Sequence, residues 1–149
     1  MSTVKELLDK KGRSVLSVEA SVSIRQVVTM MAEKNIGALM LCSAGSRLVG
    51  ILSERDCARK VILNNLSYDD TPVSEIMTAD VIVAHEDTLL DSCMALMIQH
   101  GIRHLPIVDH ETPVGMITLG DITKMIIREQ SETIEELESV VFEDQGGES

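Results

Sequence analysis

The chain writes nearly the same eight letters twice, VGILSERD at 49–56 and VGMITLGD at 114–121. In a chain of 149 residues, an echo of that length points to an internal duplication. The likeness extends backwards. IGALMLCSAGSRL precedes the first octet and IRHLPIVDHETP the second, and each reads as an apolar strand, a polar turn and a second strand. The turns, Ala44-Gly45-Ser46 and His110-Glu111-Thr112, align if the first hairpin carries one extra residue. Before each hairpin the apolar spacing predicts a helix. Ile24, Val27, Val28 and Met31 mark one, with Ser21 as its expected N-cap. Leu89, Cys93, Leu96 and Met97 mark the other, with Asp87 as the cap. Short β-type runs, SVLSV at 14–18 and DVIVA at 80–84, precede the helices, and helical stretches follow both octets.

The chain therefore reads as one βαββα unit written twice, an α+β fold with repeats over residues 10–66 and 78–130. Residues 67–77 link them, with Pro72 expected at the first position of a new helix. Residues 131–149 form a tail. Each repeat is marginal in size for folding alone, so the two are expected to pack face to face as a pseudo-two-fold pair with two equivalent clefts.

In VGILSERD, Gly50 lets another backbone approach the strand, and Ser53 and Asp56 stand where a capping box places its two partners. Thr118 and Asp121 repeat the pattern. A helix cap alone accounts for S/T-x-x-D. The same geometry also suits a nucleotide. The helix start and its hydroxyl favour phosphate, and a carboxylate one turn in accepts from two ribose hydroxyls. Arg55 adds a phosphate candidate to the first copy, where the second has Gly120, so the two clefts should differ.

Composition narrows the partners. One Tyr, one Phe and no Trp leave an aliphatic core filled by nine Met, and no platform for stacking single-stranded bases. A net charge of −11 argues against a nucleic-acid partner. The acidity is concentrated: Glu129 to Ser149 holds acids and no Lys or Arg. Three scattered cysteines suggest reduced thiols and a cytoplasmic setting. No signal-like or membrane-spanning run stands out, so no membrane is expected.

V-S-E-I-M-T (73–78), I-R-H-L-P-I-V-D (102–109) and V-G-M-I-T-L-G-D together resemble the cystathionine-β-synthase (CBS) domain, and I-G-A-L-M-L-C (36–42) with V-G-I-L-S-E-R-D resembles a second member. The resemblance covers about residues 10–130. It implies a tandem pair, or Bateman module, that dimerises into a flat disc. Such modules commonly bind an adenosine-containing ligand (AMP, ADP, ATP, S-adenosylmethionine or NAD) between the repeats and signal by changing conformation, without catalysis. By the same resemblance, Ser53 and Thr118 would contact phosphate and Asp56 and Asp121 ribose. Ile36, Ile51, Ile102 and Met116 would flank adenine, with Leu16 and Ile82 facing them and His104 at a cleft edge. Leu39-Met40 stands where the second copy has Leu105-Pro106, so the Thr118/Asp121 cleft follows the family pattern more closely.

The other constellations are weak. His100 and His104 have metal-like spacing, but Gly101 should stop the helix between them and no third ligand is apparent, so no metal is expected. Cys57 lies in the first turn of a helix, where either a reactive thiolate or a plain buried thiol fits. No nucleophile–base pair or Walker loop is present. The tail carries Ile134, Leu137 and Val141 at helical spacing before Gly146-Gly147. It is expected to pack on the folded unit or a second copy, or to dock on a basic partner. In that last case the protein would be a scaffold with degenerate clefts.

Overall fold

The computed structural model describes residues 2–147, with side chains through Val140. The first repeat has the predicted order of elements, with its first strand at Ser17–Glu19 rather than at 14–18. β1 (Ser17–Glu19), α2 (Ile24–Lys34), β2 (Ala38–Cys42), β3 (Leu48–Ser53) and α3 (Glu54–Asn64) follow one another, after an N-terminal helix α1 (Val4–Lys11). β1 pairs with β2 in parallel, and β2 with β3 in antiparallel. The second repeat consists of α4 (Leu90–His100), β4 (His104–Asp109), β5 (Thr112–Thr118) and the long α5 (Leu119–Gly147). Met40 opposes Ile51, and Pro106 opposes Met116, so the repeats superpose with one extra residue in the first hairpin.

The expected strand at 80–84 does not form. Only Ala84 bridges, to Ile107, giving its N–H to the Pro106 carbonyl (3.1 Å) and accepting from Val108 N–H (3.0 Å). The next rung back would need an N–H from residue 106, and proline has none. Met40 stands at the corresponding place in the first repeat, where the strand persists.

The caps also depart from expectation. Ser23, not Ser21, caps α2, in a complete capping box with Gln26. Leu89, not Asp87, precedes α4 and makes no side-chain cap. Instead the chain's own start serves α4: Leu90 N–H donates to the Ser2 carbonyl at 2.9 Å. In the first repeat, Ile24 N–H donates in the same way to the Thr71 carbonyl at 3.1 Å. The linker contains a single 3-10 turn, Val73–Glu75, which begins one residue after Pro72.

These two segments exchange places between the repeats. Val4, Leu7 and Leu8 of α1 pack into the core of the second repeat, with Leu90, Cys93, Met97, Leu105, Ile107 and Ile117. Val73 and Ile76 of the linker pack into the core of the first, with Ile24, Val27, Met31, Leu39 and Leu52. The two octet glycines receive them. A Cβ at Gly50 would overlap Met77, and one at Gly115 would lie 3.0 Å from Leu8. The neighbour at Gly50 is thus a side chain from the linker rather than a backbone, although Ile51 and Thr78 exchange backbone bonds beside it (3.0 and 2.9 Å). Val4, Leu7 and Leu8, outside the repeat boundaries expected from sequence, therefore complete the second core.

α5 fuses the second octet helix to the tail without a break. Ile134 and Leu137 lie exposed on it, and the side chain of Val141 lies outside the described residues. No helix among the described residues is long and apolar enough to cross a membrane.

Candidate functional site

Both octets end a strand and start a helix, but the two caps are built differently. In the second, Asp121 N–H donates to Thr118 Oγ1 (3.0 Å) and Thr118 N–H donates to Asp121 Oδ2 (2.9 Å), closing the box. Lys11 Nζ, at the end of α1, also donates to Asp121 Oδ2 (2.6 Å) and to the Met116 carbonyl (2.7 Å). Burial alone would push the Asp121 carboxyl up. The Lys11 ammonium and the Thr118 N–H outweigh it and hold the group below its ordinary value. In the first octet only half the box forms: Asp56 N–H donates to Ser53 Oγ at 3.1 Å. The Asp56 carboxylate is half-buried and has no hydrogen-bond or ion-pair partner among the described residues.

That unengaged carboxylate lines a cleft of about 580 Å3 between the repeats. Ser53, Arg55, Asp56 and Ile51 enter it from the first octet, and Ile82, Ile102 and His104 come from the second repeat. Seven of the twelve residues singled out from sequence thus share one cleft. The other five, Leu16, Ile36, Met116, Thr118 and Asp121, do not line it. Leu16 and Ile36 are half-buried against the first core, and Met116 and Thr118 flank the Lys11–Asp121 pair. The cleft therefore belongs to the first octet, the copy that departs further from the family pattern in sequence.

Residues not anticipated from the sequence complete it. Arg59 and Arg103 join Arg55, and none of the three guanidiniums forms an ion pair among the described residues. Glu54 and Asp80 supply further carboxylates. Arg59 was legible, one turn beyond Arg55 on the same helix. Arg103 needed the pairing of the repeats. Glu54 N–H donates to the Gly37 carbonyl (2.9 Å) as Leu119 N–H donates to that of Arg103 (3.0 Å), which makes Gly37 and Arg103 counterparts. By this correspondence the Asp121 side carries Gly120 and Lys124 where the Asp56 side has Arg55 and Arg59, while Gly37 and Ala38 line the Asp56 cleft together with their counterparts Arg103 and His104.

His104 packs its ring against Gly37 of the other repeat, 3.6 Å from where a Cβ would stand. Burial lowers its pKa, Lys11 and Arg103 lower it further, and Asp121 opposes them, so the imidazole is neutral near pH 7. His100 lies on α4 and is separated from His104 by Gly101, which ends the helix at φ 63°. Burial pushes the Cys57 thiol up, with Glu54 adding to it, so this residue is a buried core thiol and not an activated one.

The CBS domain matches residues 4–63 and again 73–128. The chain belongs to the CBS domain family. The two CBS repeats account for both the duplication and the exchanged segments, since each match begins at the valine, Val4 or Val73, that enters the opposite core. The mitochondrial CBS domain-containing protein CBSX3 of Arabidopsis thaliana is 30% identical over 98% of this chain and 73% of its own length. Two longer Arabidopsis relatives are matched over only 19% of theirs. Among solved structures, a CBS-domain protein from Burkholderia ambifaria MC40-6 is 40% identical with a TM-score of 0.79, covering 87% of this chain and 96% of that one. The CBS domain pair of protein MJ0100, solved with 5-methylthioadenosine and S-adenosyl-L-methionine, is 28% identical with a TM-score of 0.76 (87% and 98% covered). CBS domain protein PAE2072 from Pyrobaculum aerophilum, solved with AMP, is 27% identical with a TM-score of 0.72 (80% and 89% covered).

Proposed function

We propose that this CBS pair is a non-catalytic sensor that binds an adenosine-containing nucleotide in the cleft of the first octet and transmits its occupancy by changing how the repeats sit. One observation carries the reading. The Asp56 carboxylate and three arginines, all without an ion pair among the described residues, and the Ser53 hydroxyl at a helix start converge on a cleft walled by Ile51, Ile82 and Ile102. Ser53 uses an oxygen lone pair to cap the helix and keeps its O–H for a phosphate. Asp56 takes the ribose hydroxyls, and the isoleucines enclose the base. The arginines favour a phosphate-bearing ligand, AMP, ADP, ATP or NAD, over S-adenosylmethionine, which brings no phosphate. The adenosine ligands of the related structures support the same class.

The Thr118/Asp121 side is the weaker binder in this reading, because its ribose carboxylate is engaged by Lys11 and the counterpart of Arg55 is Gly120. The second role is self-association. Val28, Ile62 and Tyr68 stay exposed around an apolar groove of about 430 Å3 between α2 and α3, a face suited to a second copy in a homodimeric disc.

Calorimetric titration with AMP, ADP, ATP, NAD and S-adenosylmethionine tests the proposal. Saturable binding of a phosphate-bearing ligand, weakened in Arg55→Ala and Arg103→Ala, supports it. Absence of heat with all five, or tightest binding of S-adenosylmethionine, sinks it.

A further inference from the structure

α5 continues past the body of the fold, and from Gln130 to Val140 no described residue buries it. Every residue from Gln130 to Val140 is exposed, and Ile127, Ile134 and Leu137 show 57, 55 and 62% of their surface. A helix in water owes most of its stability to packing of an apolar face, so this stripe calls for an occupant. Its spacing says which kind. Ile127, Gln130, Ile134 and Leu137 alternate steps of three and four, and Val141 continues the series in sequence, its side chain lying outside the described residues. That is the period of a two-stranded coil, and the stripe is narrower than that of a helix laid on a globular core.

The charges agree with an identical mate. Glu129, Glu132, Glu135 and Glu136 fall at outer heptad positions, away from the seam. Up to Val141, Glu138 alone borders it, and in a parallel, in-register pair it meets the counterpart of Thr133 rather than another acid. From Ile127 to Val141 the acidic helix can thus approach its own copy without acid opposing acid; the next seam position in sequence is Asp144, which limits the pairing to that stretch. Gln130, the one polar residue among the seam positions from Ile127 to Val141, faces its counterpart only in that register. We propose that the α5 extensions of two copies pair in parallel along Ile127, Gln130, Ile134 and Leu137, an interface separate from the groove between α2 and α3 and independent of nucleotide binding.

Cysteine placement tests this on the full chain, whose native Cys42, Cys57 and Cys93 are buried. Leu137→Cys sits on the seam and Glu136→Cys on the outer face. In an oxidising glutathione buffer the first should form a covalent dimer roughly tenfold faster than the second, because only seam positions come within disulfide reach. Adding Ile134→Glu to Leu137→Cys should slow the cross-link by a similar factor. Added salt should speed it by screening the two acidic helices. Equal rates at 136 and 137, no dimer at 137, a rate indifferent to Ile134→Glu, or slowing by salt would each overturn the proposal.

Discussion

Lys11→Met separates the two sides of the CBS pair most sharply. The ammonium lies 2.6 Å from Asp121 Oδ2 and 2.7 Å from the Met116 carbonyl, with 38% of the Lys11 side chain and 23% of the Asp121 side chain exposed. A pair this accessible is partly screened by solvent, so its net value lies at the upper end of the exposed range, about 1 kcal/mol. Its loss should lower the melting temperature by about 3 °C for a domain of this size. The same interaction must be given up before a ribose can reach Asp121. Its removal should therefore tighten binding on that side by about fivefold, since ~1.4 kcal/mol is a factor of ten. Calorimetry would show a second, weak nucleotide event becoming stronger while the first cleft is unchanged. The pH profile supplies an internal check. Asp121 is held below its unfolded value, so its contribution to stability is present above about pH 4 and is lost as pH falls through the depressed folded value. Lys11→Met should flatten that acid limb. If the variant leaves both the second event and the acid limb unaltered, or weakens the second event, Lys11 does not compete for the ribose carboxylate.

Three further outcomes follow from the packing and the charges. Gly50→Ala forces a Cβ into Met77, whose Cγ would lie 2.9 Å away, and should destabilise by roughly 1–3 kcal/mol in urea unfolding; a neutral result would mean that Met77 swings aside freely. Leu8→Ala empties a fully buried site in the second core and should cost roughly 2–5 kcal/mol although it lies outside both octets; a loss under about 0.5 kcal/mol, the range of ordinary surface positions, would contradict the exchange of segments. Nucleotide phosphate beside His104 should raise its lowered pKa, so affinity should rise as pH falls through the ordinary histidine range, with proton uptake. Titration in buffers of different ionisation enthalpy measures the uptake, and persistence of the full effect in His104→Gln would assign it to the ligand's own phosphate.

The duplication, the α+β class and the first repeat were legible because they rest on local periodicity and on a motif written twice. The strand at 80–84 was misread for a reason that the sequence did contain. Pro106 withholds one N–H, but that matters only once the parallel register is known. Ser23 and Gln26 formed a readable capping box, whereas the cap of α4 comes from Ser2, on a distant part of the chain. The exchange of α1 and the linker left only a faint trace, Val4-x-x-Leu7-Leu8 against Val73-x-x-Ile76-Met77, too short to weigh beside the octets. The site was half legible. Matched octets identified Ser53 and Asp56, but Lys11 reaches Asp121 across most of the chain, so the two carboxylates looked equivalent in sequence. Arg103 joins the first cleft from the opposite repeat, and only packing of the two halves brings it there.

The central claim is that Asp56, not Asp121, anchors the nucleotide. Calorimetric titration of the tightest-binding nucleotide into wild type, Asp56→Ala and Asp121→Ala tests it directly. Loss of charge-assisted bonds to the ribose should weaken the principal site at least roughly tenfold in Asp56→Ala. The same site should stay within about twofold of wild type in Asp121→Ala, which removes no group lining that cleft. Wild-type affinity in Asp56→Ala, or loss of the principal site in Asp121→Ala, would contradict the account.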